Sequence, residues 1–181
     1  MLVTERAGAL RYVSQGGAVS APIKGLPPIY SEDQGGLLDV VLDPGFAQNN
    51  LIYFSFSKGD DDANSTAVAR AKLQGDTLQN VDIIFEQQPK VSSSKHYGSR
   101  MVFDGNGHLF VTLGERFSYR DDAQTLDNHH GKLVRIHPDG SVPQDNPFVN
   151  NEDMYPEIWT MGHRNIQGMA YDAESGNVWV N

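Results

Sequence analysis

The residues best placed to do chemistry in this chain are an imidazole and a carboxylate, His96 and Glu115, nineteen positions apart. His96 lies in Ser92-Ser93-Ser94-Lys95-His96-Tyr97-Gly98-Ser99, a polar loop that runs directly into an alternating apolar segment. Glu115 follows Gly114 at the end of the next such segment, Leu109 to Leu113. The short turn Gly105-Asn106-Gly107 between the two segments predicts an antiparallel hairpin, which sets the start of one strand beside the end of the other. The pair is therefore expected at one edge of that hairpin. An imidazole oriented by a carboxylate is a general-base arrangement. A loop histidine with a chance acidic neighbour is the structural alternative, and the pattern alone leaves both open.

Two more loops carry polar side chains in equivalent places. Gln34 stands in Asp33-Gln34-Gly35-Gly36-Leu37-Leu38, and Arg164 with Asn165 in Met161-Gly162-His163-Arg164-Asn165-Ile166-Gln167-Gly168-Met169. The equivalence comes from a repeated unit. Leu42-Asp43-Pro44-Gly45-Phe46 leading to Leu51-Ile52-Tyr53-Phe54-Ser55, Phe103-Asp104 leading to Leu109, and Tyr171-Asp172 leading to Val178 each read as strand, turn, strand. Their aspartates fall at 43, 104 and 172. Segments 66–73 and 131–137 read as third strands of two of the units. One supersecondary unit recurring at such intervals marks the blades of a propeller or a similar array. Gln34, His96 and the Arg164-Asn165 pair each precede the innermost strand of a unit, so they are expected on one face, around one axis. That convergence makes a donor-rich pocket containing an imidazole. Ordinary turn composition is the alternative.

No stretch has the apolar period and caps of an amphipathic helix, so the fold class is all-β. Set against the repeat, Leu2-Val3-Thr4-Glu5 begins in mid-unit and Val178-Trp179-Val180-Asn181 stops at the end of a second strand. Residues 1–181 are accordingly expected to be one partial propeller domain, two complete blades flanked by part of one on each side.

Composition bounds the function. Charged residues make up 20% and apolar residues 39% of 181, with 18 glycines and 9 prolines, which suits a turn-rich folded chain. The net charge of −9 disfavours nucleic acid or an anionic membrane as a partner. No cysteine is present, which removes disulfides and thiolate metal sites. No apolar run is long enough for a membrane span, and the first residues lack the basic and apolar regions of a signal peptide. His129-His130, being adjacent, would face opposite ways on a strand and not chelate one metal together. Asp60-Asp61-Asp62 lacks the spaced ligands of a helical calcium loop and reads as a solvated hairpin tip.

These motifs together resemble the soluble PQQ-dependent aldose sugar dehydrogenases, the glucose/sorbosone dehydrogenase family. The matching pieces, in order, are Gln34-Gly35-Gly36-Leu37-Leu38; His96 before Gly98-Ser99-Arg100; Leu113-Gly114-Glu115; Gly131-Lys132-Leu133-Val134-Arg135; Asp139-Gly140-Ser141-Val142-Pro143 with Asp145-Asn146-Pro147; and Gly162-His163-Arg164-Asn165 with Gln167-Gly168. They span nearly the whole chain. Lys95 departs from the pattern, in which asparagine or aspartate commonly precedes the histidine.

The resemblance implies a six-bladed β-propeller of which this chain is about half. It implies oxidation of aldoses at the anomeric carbon to lactones, with hydride passing to PQQ and His96 as the base. Glu115 stands where the family places the carboxylate that supports that histidine. Arg164 resembles the arginine on the reacting quinone carbonyl, with Asn165 and Gln34 as neighbouring cofactor contacts. Calcium accompanies the cofactor, its ligands being expected beyond Asn181, so no metal ligand is assigned within the chain. The implied partners are an aldose and an electron acceptor, and the implied compartment is the periplasm or exterior. On this reading the 181 residues alone are inactive. A non-catalytic propeller binding module and a sorbosone-type dehydrogenase are the alternatives.

Overall fold

The computed structural model describes residues 1–181 and is built of antiparallel strands, with one helical turn, Phe46–Asn49, and one 3-10 turn, Arg120–Gln124. Strands β1 (Leu2–Glu5) and β2 (Ala9–Tyr12) form a two-stranded sheet. Strands β3 (Leu37–Leu42), β4 (Leu51–Gly59), β5 (Asn64–Gln74) and β6 (Thr77–Glu86) form a four-stranded meander. A second meander follows, β7 (Gly98–Phe103), β8 (Leu109–Leu113), β9 (Leu133–Ile136) and β10 (Ile158–Thr160). The chain ends in the pair β11 (Met169–Asp172) and β12 (Asn177–Val180). No helix is long and apolar enough to cross a membrane.

The recurring aspartates are the pivots of the first hairpin in three of these sheets. Asp43 Oδ1 accepts the Gly45 N–H at 2.8 Å, and Asp104 Oδ1 accepts those of Asn106 and His108 at 2.9 and 2.8 Å. Asp172 Oδ1 accepts the Glu174 N–H at 3.0 Å. A short carboxylate that bonds the backbone two residues on mimics a turn, which is why the same residue recurs at the same place. The longer first turn holds the helical turn that the apolar period does not announce.

Burial follows the two-residue period of the strands. On β4, Ile52, Phe54 and Phe56 point one way, onto Leu10, Leu37, Ala67, Ala69 and Ala71. Tyr53 points the other way with Val68, onto Met101, Leu109, Val111 and Val134 of the next sheet. The first meander is thus buried on both faces, each large apolar side chain contributing roughly 1.5–3 kcal/mol. The first strands of successive sheets lie side by side, β1 against β3, β3 against β7, and β7 against β11. Polar bonds stitch them: the Met101 N–H donates to Asp39 Oδ2 at 2.9 Å, and Ser55 Oγ to the Ser99 carbonyl at 2.8 Å. Each sheet therefore presents its first strand to a common centre, and the loops before those strands open together.

Candidate active site

The β7–β8 register, with Gly98 opposite Leu113, sets the loop before β7 beside the residues after β8. His96 and Glu115 meet there, Nδ1 to Oε2 at 2.6 Å. The carboxylate is completely buried, while the imidazole keeps some exposure. Both oxygens of Glu115 are fully used. Oε2 also accepts the Phe117 N–H at 3.1 Å, and Oε1 accepts Arg164 Nε and Nη2 at 3.1 and 2.9 Å. Burial alone would push the Glu115 carboxyl up, but hydrogen bonds from His96, Arg164 and the Phe117 N–H outweigh it and hold the group below its usual value. An ionised carboxylate only accepts, so His96 Nδ1 is the donor. Nε2, on the opposite side of the ring, makes no hydrogen bond within the chain.

The other residues singled out in the sequence converge on the same place. Gln34 Oε1 accepts the His96 N–H at 3.0 Å, and Asn165 Oδ1 accepts the Gly98 N–H at 2.9 Å. The Glu115 N–H donates to the Arg164 carbonyl at 2.9 Å. Gln34 Nε2, Asn165 Nδ2 and Arg164 Nη1 donate to nothing within the chain, and the Arg164 side chain is 63% exposed. A cavity of about 180 Å³ lined by Gln34, Leu38, Gly98, Ser99, Arg100 and Gln167 adjoins them. The largest hollow, about 540 Å³ between Pro27 and Ile83, shares none of these residues, so the reactive groups and the largest volume are separate.

Backbone strain is concentrated here. Five of the seven non-glycine residues with positive φ are Asp33, His96, Ser99, Arg116 and Phe117, with His96 at +54°. Such conformations persist where surrounding contacts over-determine them. Gly114 is part of that enclosure, since a Cβ on it would lie 1.9 Å from the His96 carbonyl oxygen and 3.0 Å from Asn165 Oδ1. Gly114→Ala is therefore expected to lower stability by about 1–3 kcal/mol through overpacking against backbone. Thermal or denaturant unfolding checks this, and a variant within about 0.5 kcal/mol of the parent would show that the loop yields freely.

Lys95 pairs with Asp33, Nζ to Oδ2 at 3.9 Å, and its Nζ lies 4.9 Å from the Phe117 ring centroid. Phe117, half exposed, meets the His96 ring edge-on at 5.2 Å. Nothing in the spacing of Phe117 identifies it beforehand. Nor does anything identify Arg116, which is wholly buried behind the loop. His129 and His130 are buried loop residues, the first accepting the Gln88 N–H at 3.0 Å, the second paired with Asp122 at 2.8 Å. Asp60 to Asp62 form the tip of the β4–β5 hairpin.

Chemically, the arrangement is an imidazole with one nitrogen tied to a buried anion and the other free, beside a cation and two neutral amide donors. It can take a proton at Nε2 and offer hydrogen bonds to an electron-rich ligand.

Known proteins resemble this chain along its whole length. The family described as Glucose / Sorbosone dehydrogenase matches residues 1–181. The chain is 46% identical over 184 residues to the aldose sugar dehydrogenase of Escherichia coli strain K12, covering 100% of this chain and 49% of that protein. A crystal structure of a soluble aldose sugar dehydrogenase from Escherichia coli in the apo-form superposes with a TM-score of 0.94 at 45% identity, over 99% of this chain and 52% of that one. The PQQ-bound form of aldose sugar dehydrogenase from Streptomyces coelicolor gives 0.83 at 25% identity, over 99% and 52%. The chain spans about half the length of the curated relatives it matches. The all-β fold is accordingly about half of a propeller of this kind.

Proposed function

This chain belongs to the glucose/sorbosone dehydrogenase family, and from that premise we propose that it carries the base side of the active site of a PQQ-dependent aldose dehydrogenase, forming lactones from aldoses. One observation carries the reading: a buried carboxylate 2.6 Å from His96 Nδ1, with Nε2 left free. His96 takes up the proton of the anomeric hydroxyl at Nε2. Nδ1 stays bonded to Glu115 throughout, so the imidazolium forms beside a charge already in place and nothing has to reorient. PQQ, when bound, supplies a two-electron quinone acceptor for the hydride of the anomeric carbon.

Gln34, Arg164 and Asn165 would form one wall of the cofactor site. Their unused donors, one of them cationic, suit a flat anionic ligand rich in carbonyl oxygens. Arg164 is already tied to Glu115 through Nε and Nη2, which leaves Nη1 for the cofactor. Calcium, a separate electron acceptor and an exported or periplasmic setting belong to the same proposal on family resemblance. So does the reading of the four sheets as two complete blades and parts of two more. The intact His96–Glu115–Arg164 linkage favours an enzyme over a propeller that has lost catalysis.

The test is reconstitution. A full-length propeller carrying these residues, supplied with PQQ and calcium, is expected to reduce an electron-accepting dye in a saturable, aldose-dependent way. The isolated 181-residue chain is expected not to, because it presents one wall of the site. Absence of aldose-dependent reduction in a full-length protein shown to bind PQQ would end the proposal.

A further inference from the structure

Arg116 is among the most unusual side chains in the molecule, a completely buried guanidinium with no carboxylate partner. A buried charge is costly unless its donors are satisfied, and here four of the five N–H groups are met by oxygens of Asn64, at the start of β5, and of the loop before β7. Nε donates to the Lys95 carbonyl at 3.0 Å, Nη1 to the Asn64 carbonyl at 2.8 Å, and Nη2 to Asn64 Oδ1 at 2.6 Å and to the Ser93 carbonyl. The guanidinium also lies 4.0 Å from the Tyr97 ring centroid, and the Tyr97 hydroxyl donates to the same Asn64 Oδ1 at 2.7 Å. Ser93 Oγ returns a bond to the Arg116 carbonyl at 2.8 Å.

The important contact is the one to Lys95. Its carbonyl belongs to the peptide unit whose N–H is that of His96, and that N–H donates to Gln34 Oε1 at 3.0 Å. The peptide plane is therefore gripped at both edges, by Arg116 on the oxygen and by Gln34 on the nitrogen. Rotating that plane is how His96 would leave its positive φ, and with it the direction of the ring toward Glu115. Gly114 closes the third side against the His96 carbonyl. We infer that Arg116 is a positioning residue for the base: its planar fork holds the 93–95 backbone so that His96 stays in its left-handed conformation with Nδ1 on Glu115. This rests on the proposed role of His96, although the geometry it describes does not.

A lysine cannot serve the same oxygens, because its three N–H donors radiate from one nitrogen on a flexible stem, where the guanidinium is a rigid fork. In the full-length protein, the His96 Nδ1–H in its short bond to a carboxylate should give a downfield proton resonance, identified by its loss in His96→Gln. Arg116→Lys is expected to remove or broaden that resonance while the sheet amide pattern and PQQ binding persist. With PQQ and calcium, kcat should fall by about tenfold to a hundredfold, the scale of misplacing a catalytic group, with KM changed far less. A folded Arg116→Lys protein that keeps the resonance and keeps kcat within about twofold would overturn the inference. Should that variant not fold, Asn64→Ala decides the matter: it removes the acceptor shared by Nη2 and the Tyr97 hydroxyl, together with the Nδ2 bond to the Asp60 carbonyl at the hairpin tip, and leaves the Asn64 carbonyl in place. It should weaken the resonance, and an unaltered resonance would overturn the inference. If the parent shows the resonance yet oxidises no aldose, the base proposal fails and Arg116 is judged on the resonance alone.

Discussion

Replacing His96 with alanine in a full-length propeller carrying this segment is expected to lower aldose oxidation by about two to four orders of magnitude, the usual scale for loss of a general base. The reasoning is specific to this site. Nε2 is the only unengaged basic nitrogen beside Glu115, because both other partners of the carboxylate, Arg164 and the Phe117 N–H, are donors. PQQ affinity should largely survive, since the proposed cofactor contacts come from Gln34, Arg164 and Asn165. Gln34 keeps its bond in this variant, because it accepts from the His96 backbone N–H and not from the ring. Steady-state rates with saturating aldose, set beside cofactor titration, separate the two effects. Turnover within a few-fold of the parent would remove His96 as the base.

Much of this site was legible in the sequence, for identifiable reasons. The β7–β8 hairpin could be read because its strands alternate and its turn carries two glycines around Asn106, so the proximity of His96 and Glu115 followed from register alone. Convergence of Gln34, His96 and Arg164-Asn165 was legible because the repeat, marked by Asp43, Asp104 and Asp172, made their positions equivalent. What escaped lies in segments without a period. Arg116 follows Glu115 in an irregular stretch, and a charged residue there reads as solvated. Its burial depends on carbonyls turned inward at Asn64, Ser93 and Lys95, and no local pattern encodes where a distant loop points its oxygens. The same holds for the two hydrogen bonds of Arg164 to Glu115. Family resemblance assigns that arginine to the cofactor, and only the folded chain shows two of its three nitrogens bonded to the carboxylate.

Removing the negative charge of Glu115 should be felt in stability and in rate, with different pH signatures. All four of its partners are donors: His96 Nδ1–H, the Phe117 N–H, and Arg164 Nε and Nη2. A glutamine in its place has one accepting oxygen, so one side must face an NH2 group. If that side is His96, the imidazole must accept at Nδ1 and carry its proton on Nε2, where it cannot act as the base. If it is Arg164, the exposed guanidinium can swing into water at small cost. Molecules of the second kind remain competent, so Glu115→Gln should lose less activity than His96→Ala, about ten- to a hundredfold, the worth of one charged hydrogen bond. Glu115→Ala leaves the buried donors with no acceptor at all and should cost about 2–3 kcal/mol of stability at neutral pH. The pH dependence has a definite sign. The folded carboxyl is held below its unfolded value, so its contribution is fully present above about pH 4.3 and is lost as pH falls through the folded value. The parent should therefore lose stability on acidification faster than Glu115→Gln, the two curves converging below that range. Denaturant unfolding of both proteins from neutral to strongly acid pH measures this. Parallel curves would mean that the carboxylate is no better stabilised in the folded chain than in the unfolded one, and its proposed support of the imidazolium would fall with that result.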